Sequence, residues 1–546
     1  MTSPRKTENA SGTSGFVPFP AERAQRYRAA GHWTTGTVDA LLRDAVARRP
    51  DATAVIDAHG ALSYAELAAA ADRAAQGFTA LGIGPGDRVL LQLPNRNTFA
   101  VALFGLLRAR ALPIMCLPGH RIAELSHFTE VAGASALVIA DTAGGFDYRA
   151  MAGELTERHP GLRHVVVDGE AGPFTPWATV AAGSPSPAGL APADPHGPAL
   201  LLVSGGTTAA PKLIPRTHAD YLYNATASAA LCGLTGDDVL MVALPAGHNF
   251  PLACPGLLGA IAVGATTVFT ADPSPESAFP AIARHQVTVT ALVPVLARLW
   301  AQATDWEPVL PDSLRLLQVG GAKLGSADAA QIREKLNVTV QQVFGMAEGL
   351  LCYTRPDDPA EVVDHTQGRP LCADDEVRVV DEDGAEVAPG CDGELLTRGP
   401  YTINGYYRAA AANRTAFTPD GFYRTGDRVR RRPDGNFEVT GRVKDVILRG
   451  GESISALDFE AHLHAHPAVD TAAAVGLPDQ YLGERVCAAI VFKGAPLSVS
   501  QINEHLRERG AAAHLRIDLV AAVPALPVTP VGKIDKRALV ATLTAG

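Results

Sequence analysis

Four aliphatic residues, Leu200–Val203, lead directly into Ser204-Gly205-Gly206-Thr207-Thr208-Ala209-Ala210-Pro211-Lys212. Glycines let backbone amides approach an anion, the hydroxyls add donors, and Lys212 adds a full positive charge. The segment therefore has the chemistry of a polyphosphate grip. No Gly-Lys-Ser/Thr follows at Walker spacing and no Gly-x-Gly-x-x-Gly is present, which sets aside both common nucleotide loops. Taken alone, such a loop is more often a plain turn. Other groups fit phosphoryl chemistry: a carboxylate at Glu348 for a hard cation, Asp427 at the end of a Gly-Asp turn, the guanidinium fork of Arg442, and Lys533 in a Gly-Lys loop.

The phosphate segment runs on into Leu213-Ile214-Pro215-Arg216-Thr217-His218, and the whole stretch resembles the signature loop of the adenylate-forming superfamily. That superfamily comprises acyl-CoA synthetases, aryl acid ligases, peptide-synthetase adenylation domains and luciferases. Gly320-Gly321-Ala322, Val343-Phe344-Gly345-Met346-Ala347-Glu348, Tyr423-Arg424-Thr425-Gly426-Asp427, Gly441-Arg442-Val443-Lys444-Asp445 and Pro530–Lys536 follow in its order and spacing. The resemblance thus covers nearly the whole chain after about residue 37.

Such a resemblance implies attack of a carboxylate on the α-phosphorus of ATP, with loss of pyrophosphate, and then acyl transfer to a thiol. Ser204, Gly205, Gly206, Thr207 and Thr208 would grip the β- and γ-phosphates beside Lys212. Gly321 and the run Val343, Phe344, Gly345, Met346 and Ala347 would line the nucleotide, and Glu348 would bind Mg²⁺. Asp427 would accept from the ribose hydroxyls, with Arg442 beside it. Lys533 would bridge the substrate carboxylate and the α-phosphate, where a point charge stabilises the pentavalent transition state. One departure stands out. The superfamily usually has Gly where Ala209 stands, and an alanine forced to positive φ costs on the order of 1 kcal/mol.

Ala246-Gly247-His248-Asn249-Phe250-Pro251-Leu252-Ala253-Cys254-Pro255-Gly256 resembles the aryl acid ligases of siderophore pathways, which activate salicylate or 2,3-dihydroxybenzoate. In that group the Asn of His-Asn-aromatic-Pro bonds the ortho hydroxyl, a role that falls on Asn249. His248, Phe250, Gly321, Ala322 and Gly345 would complete the pocket. Amino-acid-activating relatives place an Asp near this point for the ammonium, and Asn249 offers no such charge. A Ser at the position of Cys254 and a Val at that of Leu351 accompany the dihydroxy acid. A thiol and a larger Leu make a smaller, drier pocket, which favours salicylate. The acceptor is expected to be the phosphopantetheine of a separate aryl carrier protein. CoA as acceptor, 2,3-dihydroxybenzoate as substrate, and a non-catalytic ligand-binding relative are the alternatives.

The elements that must position these groups read as an α/β fold. Short aliphatic runs such as Arg88–Leu93, Ala136–Ala140, His164–Val167 and Thr288–Pro294 alternate with Ala-rich helical stretches, as buried strands of parallel sheets do. At 546 residues more than one domain is expected. The expected division is an N-terminal extension (1–36), a large adenylation domain with sheets flanked by helices (37–443) and a small, mobile α+β domain (444–546). Lys444 and Asp445 would sit at the joint, and the resemblance implies that rotation about them swaps the Lys533 face for the Gly450-Gly451-Glu452 face for thiol transfer. With 57 acidic and 47 basic side chains the net charge is −10, giving no footprint for nucleic acid or an anionic membrane. Seven scattered cysteines without a C-x-x-C pair point to a reducing compartment. A polar N-terminus and no spanning apolar segment point to the cytoplasm. His462, His464 and His466 read as part of a helix rather than a metal site, and Asp374-Asp375-Glu376 as a solvated turn. The division of labour has a direct test: Lys533→Ala nearly abolishes adenylation, measured as pyrophosphate exchange, yet spares thiol transfer from preformed adenylate.

Overall fold

The computed structural model describes residues 15–184, 193–204, 211–449, 452–479, 481–509, 515–529 and 532–545. Two mostly parallel sheets dominate the large unit. In one, strands run Leu213–Thr217, Pro198–Val203, Leu112–Met115, Arg88–Gln92, Ala136–Ala140, His164–Asp168 and Thr175–Pro176. The other runs from Arg369–Pro370 through Leu351–Tyr353, Thr339–Gly345, Leu316–Gly320, Val289–Leu292, Val239–Val242 and Thr266–Phe269 to Thr53–Asp57 and Gly60–Ser63. Strands such as Ala136–Ala140 and Leu316–Gly320 are buried at every position, as sheets covered on both faces require.

Alanine-rich helices let the layers approach closely. Helix Asn97–Arg108 crosses Tyr64–Ala80 so tightly that a Cβ on Gly105 would come within 2.8 Å of the Ala74 methyl. Helix Tyr64–Ala80 starts at a capping box, Ser63 with Glu66, which satisfies two of its orphan amides. An antiparallel sheet of Glu376–Val380, Asp392–Arg398, Tyr423–Arg431 and Phe437–Arg442 completes the large unit. The small unit follows the short helical turn Val443–Asp445. Its own core gathers Phe459, Leu463, Ile490, Ile502 and Leu506 around a second mixed sheet. The two-part α/β organisation expected from the sequence is therefore observed.

The stretch before Thr37 is held against the large unit. Helix Ala21–Ala29 seals a cluster of Phe19, Tyr27 and Trp33 against the large unit, and the Trp33 indole donates to the Pro400 carbonyl at 2.8 Å. Arg23 reaches Asn404 and Arg26 pairs with Glu376, so amphipathic side chains rather than apolar periodicity tie the segment down. One sequence expectation changes: Asp375 is half-buried rather than part of a solvated turn. It accepts from the Tyr401 hydroxyl at 2.5 Å, and burial pushes its carboxyl up to about 7. Trp33→Ala is expected to cost about 3–5 kcal/mol of stability, read as a lower urea midpoint, because it empties a buried aromatic site and orphans the Pro400 carbonyl.

Candidate functional site

The hairpin of Pro198–Val203 and Leu213–Thr217 holds the base of the phosphate segment. Ser204 donates its amide to the Lys212 carbonyl at 2.9 Å, and its Oγ accepts from the Lys212 amide at 2.8 Å. Gly205, Gly206, Thr207, Thr208 and Ala209 lie outside the described residues, as do Gly450 and Gly451. Lys212 extends over the Tyr406 ring, its Nζ 5.0 Å from the ring centre. The Tyr406 hydroxyl donates to Glu348 Oε1 at 2.8 Å and sits 3.0 Å from the Tyr423 hydroxyl, so Lys212, Tyr406 and Glu348 form one cluster.

Gly321 follows the strand Leu316–Gly320 and Gly345 ends the adjacent parallel strand, and both are exposed at the carboxyl edge of the sheet, where ligands of open α/β sheets bind. Ala322 is exposed beside them. Gly321 adopts φ +86°, a conformation that favours glycine. A Cβ placed there would lie 3.4 Å from Lys533 Cε, which locates the small-unit lysine at the mouth of the cleft. The turn carrying Lys533 is closed by Thr529, whose amide donates to the Lys533 carbonyl at 2.7 Å, with Gly532 at φ +77°. Desolvation in the cleft holds the Lys533 ammonium below the ordinary lysine value. Arg442 adds to the shift, while Asp427 and Glu348 oppose it.

Asp427 and Arg442 face each other across neighbouring strands, with Nε donating to Oδ1 at 2.8 Å. Burial raises the Asp427 pKa against the pull of Arg442, and Asp427 and Asp445 hold Arg442 firmly charged. Asp445, in the turn joining the units, is thus electrostatically tied to the Asp427–Arg442 pair. Lys444 occupies the same turn.

The aryl-pocket candidates surround the short helix Asn249–Ala253. His248 caps it, Nδ1 accepting from the Phe250 amide, which leaves the ring proton on Nε2. Burial and the nearby Lys533 charge lower the His248 pKa to about 3, so the imidazole stays neutral. Asn249 is buried, with Oδ1 bonded by Tyr221 and Nδ2 3.4 Å from Cys254 Sγ. Burial pushes the Cys254 thiol up to about 12, so it packs rather than reacts. The Phe250 ring lies against Gly320, about 3.0 Å from where a Cβ would stand, and Leu351 Cδ2 would meet a Gly345 Cβ at 2.5 Å. Val343 and Phe344 belong to the strand that ends at Gly345, and Met346 and Ala347 to the turn from there to Glu348.

Sequence reasoning missed the residues behind this surface. Arg216, Tyr221, Asn224, Ser228, Tyr353 and Tyr406 are all buried. Their signal was present: Tyr221, Asn224 and Ser228 recur at helical spacing on His218–Leu231, placing polar groups on the inward face. His464 Nε2 accepts from the Ala472 amide and His466 Nδ1 from the Ala468 amide, while His462 Nδ1 accepts from the Arg509 guanidinium.

Among the described residues, no cluster of three or more His, Cys, Asp or Glu could hold a metal by itself. Glu348 stands as a buried carboxylate with one oxygen taken by Tyr406. This donor set suits a magnesium ion that keeps its waters and shares substrate phosphates, not a protein-caged ion. No helix among the described residues is long and apolar enough to cross a membrane.

The AMP-binding enzyme family matches residues 42–407, and its C-terminal domain family matches residues 458–533. A salicyl-AMP ligase / salicyl-S-ArCP synthetase of Mycobacterium tuberculosis is 64% identical over 99% of this chain and 96% of its own length. A 2,3-dihydroxybenzoate-AMP ligase of Bacillus subtilis is 46% identical, covering 96% and 97%. The apo structure of Mycobacterium smegmatis MbtA is 62% identical with a TM-score of 0.78, covering 98% of this chain and 100% of that one.

Since the Lys533 shift is downward, its positive charge is lost at lower pH than in a free lysine. The adenylation expected from the sequence therefore declines as pH rises, on a basic limb below 10.5. Thiol transfer from preformed adenylate lacks that limb. Pyrophosphate exchange and single-turnover transfer, each followed across pH, separate the two; a shared limb assigns the titration to another group.

Proposed function

Because the chain belongs to the AMP-binding enzyme family, matched in both its main and its C-terminal domain, we propose that it activates salicylate with ATP and passes the acyl group to a carrier protein. Salicyl-AMP and pyrophosphate are the first products, and the phosphopantetheine thiol of a separate aryl carrier protein is the acceptor. The observation that carries the proposal is the Asn249 amide: neutral, buried, and directed between Tyr221 and Cys254 under the cleft that Lys533 enters. A neutral amide suits a phenol beside a carboxylate and leaves an α-ammonium group without a counter-charge.

Residue roles follow the chemistry. Ser204 and its loop, Gly205, Gly206, Thr207 and Thr208, grip the β- and γ-phosphates, with Lys212 contributing charge from the Tyr406 side. Glu348 would hold Mg²⁺, whose charge neutralises phosphate oxygens during displacement. Asp427 takes the ribose hydroxyls, held in place by Arg442. Lys533 bridges the acid carboxylate and the α-phosphate, and its place against Gly321 fits a small unit turned for the first half-reaction. Backbone amides and strand-end glycines at Gly321 and Gly345 leave room for the planar adenylate, with Ala322, Phe250 and neutral His248 around the acid. Lys444 and Asp445 serve as the hinge, with the domains dividing at Val443 and Lys444.

Salicylate is preferred over 2,3-dihydroxybenzoate because Cys254 offers a weaker hydrogen-bonding group than a hydroxyl and Leu351 fills the space against Gly345. The relative named for salicylate is also the nearer of the two aryl acid relatives, 64% against 46% identical. That name, salicyl-S-ArCP synthetase, supports the carrier as acceptor over CoA. An unpaired buried 3-hydroxyl costs roughly 1–3 kcal/mol, so pyrophosphate exchange is expected to favour salicylate about tenfold to a hundredfold. Radiolabelled salicylate is expected to load a holo aryl carrier protein far faster than it forms salicyl-CoA. Faster exchange with 2,3-dihydroxybenzoate, or faster CoA ester formation, overturns the corresponding half of the proposal.

A further inference from the structure

Beneath the aryl pocket, a closed ring of polar side chains fixes which edge of Asn249 faces the cleft. The Tyr221 hydroxyl donates to Asn249 Oδ1 at 2.9 Å, and its ring is held by the Arg216 guanidinium, 4.6 Å from the ring centre. On the other side, Asn249 Nδ2 lies 3.4 Å from Cys254 Sγ, whose own hydrogen is directed at the Asn249 carbonyl, also 3.4 Å away. Asn224 completes the ring: Nδ2 donates to the Ala253 carbonyl at 2.7 Å and Oδ1 accepts from Arg216. Tyr221, Asn224, Asn249 and Cys254 are all buried. Tyr221 takes one Oδ1 lone pair, whereas the thiol is a weak acceptor that leaves the Nδ2 hydrogens largely unspent, so the edge of Asn249 better supplied for a ligand is an N–H.

We propose that Tyr221 is a specificity-determining positioning residue: by holding Asn249 Oδ1 it makes the amide present an N–H, so the ortho substituent of the bound acid must be an acceptor. The inference rests on the reading of Asn249 as the contact to the ortho group. An ortho hydroxyl meets the requirement, because its hydrogen bonds the adjacent carboxylate and its lone pairs face outward. An ortho amino group fails it. Its lone pair is drawn into the ring, and the hydrogen that faces outward meets the Asn249 N–H head-on.

Pyrophosphate exchange with salicylate, 2-aminobenzoate and benzoate compares the wild type with Tyr221→Phe and Asn249→Asp, after thermal melting has established that each variant is folded. In Tyr221→Phe the amide is free to turn. The KM for salicylate is expected to rise roughly tenfold with little change in kcat, and the preference for salicylate over 2-aminobenzoate to shrink by a similar factor. Benzoate has no ortho group and keeps its kcat/KM. In Asn249→Asp, Tyr221 still binds one carboxylate oxygen and the other is an acceptor, so the preference moves toward 2-aminobenzoate. Parallel losses for benzoate and salicylate, an unchanged ratio in Tyr221→Phe, or an unchanged ratio in Asn249→Asp overturn the inference and leave the activity standing. A wild type that exchanges with no ortho-hydroxy acid overturns the functional proposal and the inference together.

Discussion

The site is organised around one buried ion pair, Arg216 with Asp220. Both side chains are essentially without solvent contact, and Nε donates to Oδ1 at 2.8 Å. Two charges withdrawn from water are costly unless nearly every donor and acceptor is satisfied. Asp220 also accepts from the Thr217 amide and hydroxyl, both at 2.7 Å. Arg216 donates further to the Ala347 and Tyr401 carbonyls and to Asn224 Oδ1. Burial still pushes the Asp220 carboxyl upward, with Arg216 opposing it. A planar five-donor fork can make these bonds at once, whereas a lysine could not.

Those bonds link regions far apart in sequence. Arg216 belongs to the strand leaving the proposed phosphate segment, Ala347 precedes Glu348, and Tyr221 and Asn224 bond Asn249 and the Ala253 carbonyl. One guanidinium thus sets the relative position of the hairpin proposed to grip phosphate, the Glu348 carboxylate and the amide proposed to bind the acid. Tyr406 makes a second link, joining Glu348 to the Lys212 side of the cleft. Fixed dipoles and charges held this way need little rearrangement when charge develops on a substrate. Lys533 differs in kind. It comes from the small unit and reaches Gly321 across the interface, so its charge is supplied by how the two units meet.

Electrostatics in the cleft are also divided by burial. His248 and Cys254 are kept neutral, the first by a lowered pKa and the second by a raised one. Burial raises the Asp427 pKa, while Asp427 and Asp445 together strengthen the charge on Arg442. The carboxylate at the joint and the carboxylate proposed for the ribose therefore act on one guanidinium, which ties the nucleotide side of the cleft to the turn between the units.

Much was legible in the sequence because it is local. Aliphatic runs such as Ala136–Ala140 and Leu200–Val203 appear as strands because residues buried on both faces leave an uninterrupted apolar signal. The motifs around Ser204, Gly321, Glu348, Asp427 and Lys533 could be read since each keeps its chemistry within a few residues. Tertiary structure alone decided what depends on partners distant in the chain. Asp375 looked like a solvated turn residue until Tyr401 covered it, and the place of the segment before Thr37 depends on Trp33 reaching Pro400. The same holds for Asn249. Its residue type announced a neutral pocket, but the edge it presents is set by Tyr221, 28 positions earlier, through a hydrogen bond that exists only once helix and pocket are packed together.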